Sequence, residues 1–103
     1  MEEAVSLRFV SVARVLAGEA RAQSLRAPVF RSPPRLVGVG RSIIRRRDGT
    51  SAVSVALRGR PWAAVVADMV EGVVVANRLR GVEADRCRAR LWACLGEEGV
   101  QAA

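Results

Sequence analysis

The stretch RSIIRRRDGTSAVSVAL, from Arg41 to Leu57, decides the fold because two strand-like runs flank the dipeptide Asp48-Gly49. The second run, residues 51–57, alternates with a period of two, which is typical of a strand. Asp-Gly between two such runs favours a two-residue type I′ turn, since both central residues of that turn need a positive φ. The sequence therefore predicts a β-hairpin over about 41–58.

A two-residue turn would also fix the register of the hairpin, with Ile44 opposite Val53. Directly opposed residues share a face of the sheet. One face would then carry the aliphatic side chains Ile44, Val53, Val55 and Leu57. The other face would carry the arginines Arg41, Arg45, Arg47 and Arg58. The prediction is a ribbon with one aliphatic side and one guanidinium side.

Two helices are predicted after the hairpin, where they would cover its aliphatic side. Residues 61–79 are apolar around most of a helix, and Pro61 suits the first helical position. Gly81 is predicted to end that helix, and residues 83–95 carry a one-sided apolar stripe that predicts a second one. A strand over 72–76 is the alternative for the valine-rich part of the first helix. We therefore predict an α+β fold, a hairpin packed against two C-terminal helices.

The N-terminal residues 1–23 place Val5, Phe9, Val12 and Leu16 on one helical stripe, which favours a helix of about four turns. Alternation over residues 5–9 leaves a strand as the alternative. Three of the four prolines lie in residues 24–40, which predicts a linker. The predicted organisation is an N-terminal helix (1–23), a Pro-rich linker (24–40), a compact ββαα core domain (41–98) and a tail (99–103).

Composition argues against most enzyme chemistry. The net charge is +7, all 17 basic residues are arginine, and the chain has no histidine, lysine or tyrosine. The lack of histidine removes the commonest general base, and the lack of lysine excludes Schiff-base and P-loop chemistry. The lack of tyrosine excludes acid catalysis by a phenol. Asp68 and Glu71, three residues apart, are expected to be solvated or to pair with an arginine such as Arg46. We predict no enzymatic activity, no cofactor and no metal site.

The two cysteines, Cys87 and Cys94, are seven residues apart. On one helix that spacing is about 10 Å, which is too long for a disulfide. Both fall on the apolar stripe of the last helix and are predicted to be small core residues. The absence of a disulfide framework, of a transmembrane segment and of a signal peptide predicts a reducing, cytoplasmic setting.

The charge points to nucleic acid as a partner. We predict a small basic accessory protein that binds DNA or RNA phosphates through its Arg-rich hairpin, at Arg41, Arg45, Arg46, Arg47, Arg58 and Arg60. The alternative is a protein-interaction or homodimerisation module that uses the apolar 61–79 helix. Its predicted interface residues are Trp62, Val66, Met69, Val70 and Val73. A solvated strand face that opposes edge-to-edge aggregation would also explain the arginines.

Overall fold

The computed structural model of the protein describes residues 2–32, 41–45, 47, 50–57 and 59–96. The elements in chain order are α1 (Glu2–Ala22), β1 (Val29–Arg31), β2 (Arg41–Arg45), β3 (Ser51–Val55), α2 (Trp62–Ala76) and α3 (Gly81–Leu95). The α+β fold class is confirmed, with the β2–β3 hairpin packed against the C-terminal helices. Both segments for which a strand was the alternative are helical. Within the described ranges, no helix has the length and apolarity needed to cross a membrane.

The sheet has three strands in the order β1-β3-β2. The central strand, β3, pairs antiparallel with β2 and parallel with β1. Strand β1 lies in the segment predicted as a linker, and it forms because Phe30 is anchored in the fold. Phe30 pairs with Val53, and its ring packs against the hydrophobic core. A strand of three residues is too short to show a periodic pattern in the sequence.

The hairpin register differs by one residue from the prediction. Val53 pairs with Ile43 instead of Ile44, because a connection of five residues, 46–50, replaces the predicted two-residue turn. Ile43 packs against the core, whose members include the fully buried Val53. A shift of one residue exchanges the two faces of a strand, so the burial of this pair selects the observed register.

The predicted separation into an aliphatic face and an arginine face is therefore wrong. Arg41 pairs with Val55 and Arg45 pairs with Ser51, and both of these β3 residues are buried. The partners that the prediction gave to these two positions, Ala56 and Ala52, are each replaced by the preceding residue of the chain.

Helix α2 lies against the sheet at Gly72. A Cβ atom added to Gly72 would be 3.0 Å from Cγ1 of Val53 and 3.4 Å from the ring of Phe30, so a larger residue would push the helix away from both strands. Most of α2 is buried as well. Its buried residues are Trp62, Val65, Val66, Met69, Val70, Gly72, Val73, Val74 and Ala76.

Helix α1 belongs to the same core as the sheet and the C-terminal helices. Its buried residues Phe9, Val12, Leu16 and Ala20 form one stripe at three- and four-residue spacing and join the core cluster with residues of α2 and α3. The predicted compact unit began at residue 41 and left this helix outside. With α1 in place, most of the apolar surface of α2 is covered within a single chain, and Val75 stays 43% exposed.

Helices α1 and α2 end in the same way, with a non-glycine residue in the left-handed region. Ser24 has φ 58° and Arg78 has φ 54°. After α2, the Leu79 amide donates to the Val74 carbonyl at 3.1 Å and the Arg78 amide donates to the Val75 carbonyl at 3.0 Å. This is the Schellman pattern, in which glycine is the usual residue at the left-handed position. Gly81, predicted to end α2, is instead the first residue of α3.

Replacing Gly72 with alanine is expected to destabilise the protein, although alanine is the better helix former. Overpacking costs about 1–3 kcal/mol, whereas alanine gains about 0.5–1 kcal/mol over glycine inside a helix. The matched control is Gly18→Ala in α1, where an added Cβ meets nothing within 4 Å. Denaturant unfolding of both variants measures the difference. Equal stabilisation by the two substitutions would show that α2 is not held at this distance from β3.

The left-handed conformation of Ser24 predicts that Ser24→Gly stabilises the protein. An L-residue in this region costs about 1–2 kcal/mol, and glycine removes that cost. Glycine also loses more conformational entropy on folding, which offsets part of the benefit, so a net gain of about 0.5–1 kcal/mol is expected. Ser24→Ala keeps the strained backbone and should give no such gain. Thermal and denaturant unfolding of the two variants test the prediction, which a destabilised glycine variant would contradict.

Candidate functional site

The predicted hairpin arginines divide between the two ends of β2. Arg45 is the last residue of β2, and Arg47 is exposed in the connection that follows. Arg41 is the first residue of the strand, about 13 Å from Arg45 at the usual rise per residue. Arg46 and Arg58 lie outside the described residues. Arg45 and Arg47 therefore lie together at the turn end of the hairpin. Arg41 lies at the opposite end, where its pairing partner Val55 precedes Ala56, whose carbonyl accepts a hydrogen bond from Arg60.

Arg60 is engaged inside the fold, contrary to its predicted place in the binding surface. Its Nη1 lies 2.6 Å from Oδ2 of Asp68. It also donates to the carbonyl of Ala56 at 3.2 Å and to that of Ala64 at 3.4 Å. These bonds connect the end of β3 to the first turns of α2, which is a structural role that the sequence pattern did not indicate.

Glu71 confirms the prediction that the acidic residues of α2 pair with arginine. Its two carboxylate oxygens accept hydrogen bonds from Nε of Arg88 at 2.7 Å and from Nη2 at 2.9 Å. Asp85 accepts a third bond from Arg88 at 2.9 Å. The hydrogen bonds that Arg88 donates to Glu71 raise the pKa of Arg88 above its usual value. Among the described residues, no group of three or more potential metal ligands comes together.

The residues predicted as a protein interface lie in the core of the single chain. Trp62, Val66, Met69, Val70 and Val73 are all at most 4% exposed. They are covered because α1 packs on the side of α2 that the hairpin and α3 leave open. The guanidinium of Arg8 closes the edge of this core, 4.5 Å from the centre of the Trp62 ring. This surface is not available to a partner in the folded protein.

The two cysteines differ in exposure. Cys87 is buried, as predicted, whereas Cys94 is exposed and its thiol donates to the Leu91 carbonyl at 3.1 Å. Burial raises the pKa of both thiols, which lowers their thiolate fraction at neutral pH.

A polar contact that the sequence did not predict joins the ends of α1 and α2. Oδ1 of Asn77 accepts the Arg26 amide at 2.8 Å, and its Nδ2 donates to the Arg26 carbonyl at 2.9 Å. The same Nδ2 donates to the Val73 carbonyl at 2.9 Å within α2. One side chain therefore fixes the backbone that leaves α1 against the C-terminus of α2.

This contact gathers further arginines at the turn end of the hairpin. Strand β1 runs parallel to β3 and begins opposite Ala52, one residue from the start of β3. Arg26 precedes β1 by three residues, and Arg78 and Arg80 follow Asn77 closely in the chain. The side chains of Arg26, Arg47, Arg78 and Arg80 are exposed. We call these four residues, with Arg45, the basic end.

Three arginines of the basic end form no ion pair with the described part of the chain. They are Arg47, Arg78 and Arg80, whereas Arg60 and Arg88 pair with carboxylates of α2 and α3. Arginines that follow helix C-termini also interact favourably with the negative ends of the helix dipoles. That preference is the one sequence signal that pointed to Arg26 and Arg78.

Comparison of the chain with protein-family models, with curated proteins and with solved structures returns no match. The charge and geometry of the basic end are therefore the basis on which a function is assigned. Its clustered guanidinium groups are suited to polyanions, because each can donate two parallel hydrogen bonds to phosphate or carboxylate oxygens.

The Asn77 side chain is expected to hold the basic end together, so its removal should cost stability. Asn77→Ala loses three hydrogen bonds and should lower the free energy of unfolding by about 1–2 kcal/mol. The control is Gln23→Ala at the equivalent end of α1, where the side chain makes only a long 3.4 Å bond to Glu19 among the bonds described. Denaturant unfolding measures both variants. Equal effects would show that the bridge to Arg26 contributes nothing beyond an ordinary helix end.

Proposed function

We propose that the protein binds nucleic acid through phosphate contacts made at the basic end. The observation that carries the proposal is the Asn77–Arg26 pairing, which brings the arginines at the ends of α1 and α2 to the same end of the sheet as the hairpin connection. The Arg45-Arg46-Arg47 sequence adds a second group of arginines in that connection. The proposal keeps the polyanion ligand expected from the net charge and moves the binding surface from the face of the hairpin to its end.

The charge balance of the chain supports this assignment. The net charge is +7. The exposed Arg47, Arg78 and Arg80 form no ion pair with a described residue, which supports their availability to a polyanion. Phosphate contacts of this kind orient a protein on nucleic acid and supply affinity without reading the sequence.

The aromatic residues indicate which mode of binding is expected. Phe9 and Trp62 are buried, and Phe30 and Trp92 pack against the core. None of them is presented as a platform for unstacked bases, which single-strand binders usually need. We therefore expect contacts with the phosphate backbone and weak preference among sequences.

The decisive experiment compares two double variants with the same net charge. Arg78→Gly/Arg80→Ser removes two charges from the basic end, and Arg31→Ser/Arg90→Ser removes two exposed charges elsewhere. Affinity for a generic DNA duplex and for the corresponding RNA duplex is measured at low and at physiological ionic strength. The first variant should reduce the slope of log affinity against log salt by about 2, since each lost phosphate contact removes about one unit.

The Arg78→Gly substitution separates loss of binding from loss of folding. Arg78 has φ 54°, so glycine removes the charge and relieves the backbone at the same time. The variant should unfold no more easily than the parent protein while binding nucleic acid more weakly. Changing Arg45, Arg46 and Arg47 together to serine should also weaken binding. Absence of binding at low salt, or an equal loss in the Arg31/Arg90 control, would refute the proposal.

A further inference from the structure

A groove separates α1 from the edge of the sheet at β1. Its volume is about 410 Å³, which lies within the range of about 300–1,000 Å³ found for ligand pockets. Ala13 and Ala17 on α1 and Pro28 and Phe30 around β1 line it. Val10, 48% exposed, extends the apolar lining towards the start of α1. The groove is thus a surface beside a strand with a mixed lining, mostly apolar residues and two arginines.

The strand that borders the groove is an edge strand. β1 pairs with β3 on one side, and no described strand pairs with its other side. The unpaired amide and carbonyl groups of an edge strand are a template for one more strand. Many peptide-binding domains use such an edge, with main-chain hydrogen bonds for affinity and an adjoining apolar groove for side chains.

The charges around the groove indicate the chemistry of its occupant. Arg14 and Arg21 line it and are exposed, and neither forms an ion pair with a described residue. No carboxylate is among the lining residues. The two arginines are seven residues apart on α1, about 10.5 Å along the helix axis. Side chains on one face of an extended chain recur every two residues, so two carboxylates four residues apart lie about 13 Å apart, close enough for two long arginine side chains to reach them.

From this combination we infer that the groove binds an acidic, extended peptide segment of a partner protein, which adds a fourth strand to the sheet beside β1. The side chains on one face of the segment enter the groove, where an apolar side chain fills the space between Ala13, Ala17 and Phe30 and the carboxylates two residues before and after it pair with Arg14 and Arg21. A nucleic acid would use the arginines alone and would have no use for the apolar lining or the strand edge. The inference is independent of the function proposed for the basic end.

The first test uses a labelled short peptide, the Glu-Val peptide, in which Glu and Val alternate along one face of the strand and Ser occupies the other face, with fluorescence anisotropy as the readout. Arg14→Ser/Arg21→Ser should weaken binding by about tenfold or more, because two charge-assisted contacts are lost. The charge-matched control is Arg86→Ser/Arg90→Ser, which removes two exposed arginines from α3 and should leave the affinity unchanged. An equal loss in both double variants would show that the peptide follows net charge and would overturn the inference.

The second test addresses the strand pairing and the lining. A Lys-Val peptide should bind at least about tenfold more weakly, and so should a Glu-Val peptide with a central proline, since proline removes a ladder donor. Ala17→Glu should abolish binding by filling the groove with a like charge, with circular dichroism as the check on folding. Unchanged binding of the proline peptide would overturn the proposed strand addition.

Other occupants are separate outcomes of the same measurements. A short DNA duplex can compete with the Glu-Val peptide in the parent protein and in the Arg78/Arg80 variant. If the duplex displaces the peptide from the parent protein but not from the variant, the duplex binds at the basic end, and this result supports the peptide as the occupant of the groove. Displacement that persists in that variant would place nucleic acid in the groove and contradict the inference. Self-association of the parent protein in sedimentation that the Arg14/Arg21 variant loses would identify a second copy as the occupant and would also contradict it.

Discussion

The close approach of α2 to the sheet at Gly72 is the constraint on which the rest of the structure depends. Because a hydrogen atom replaces a side chain at that point, Val53 and Phe30 both reach the helix backbone. Phe30 then packs β1 against β3, and Val53 is fully buried in the core. The remaining circumference of α2 is apolar, so α1 and α3 pack around it, and a chain with only four aromatic residues still encloses its core.

The parts of the fold that follow from periodic patterns could be predicted from the sequence. The stripe of Ala84, Cys87, Leu91 and Leu95 predicted α3, and the alternation over residues 51–57 predicted β3. The register could not be predicted, because Asp48-Gly49 favours a short turn locally while the burial of Ile43 requires a longer connection. Tertiary packing overrode the local preference. Strand β1 could not be predicted either, since what makes it a strand is the contact of one residue, Phe30, with a distant helix.

The candidate site shows the same division between local and distant information. Composition and the Arg45-Arg46-Arg47 run predicted a basic surface. The sequence did not indicate which arginines form ion pairs with carboxylates inside the fold. Arg60 and Arg88 are bound to Asp68 and Glu71 across distances that no short motif encodes. Conversely, Arg26 and Arg78 are 52 positions apart in the chain and become neighbours only through one asparagine side chain.

The parallel pairing of β1 with β3 has a consequence for the order in which contacts form. The hairpin partner of β3 is close to it in sequence, whereas β1 precedes β3 by about twenty residues, so its loop-closure entropy is larger. Burial of Phe30 offsets this entropy loss only once α2 has packed against the sheet. We therefore expect β1 to join the sheet after the hairpin has formed, and to open locally at a lower free-energy cost than the helices packed around Gly72.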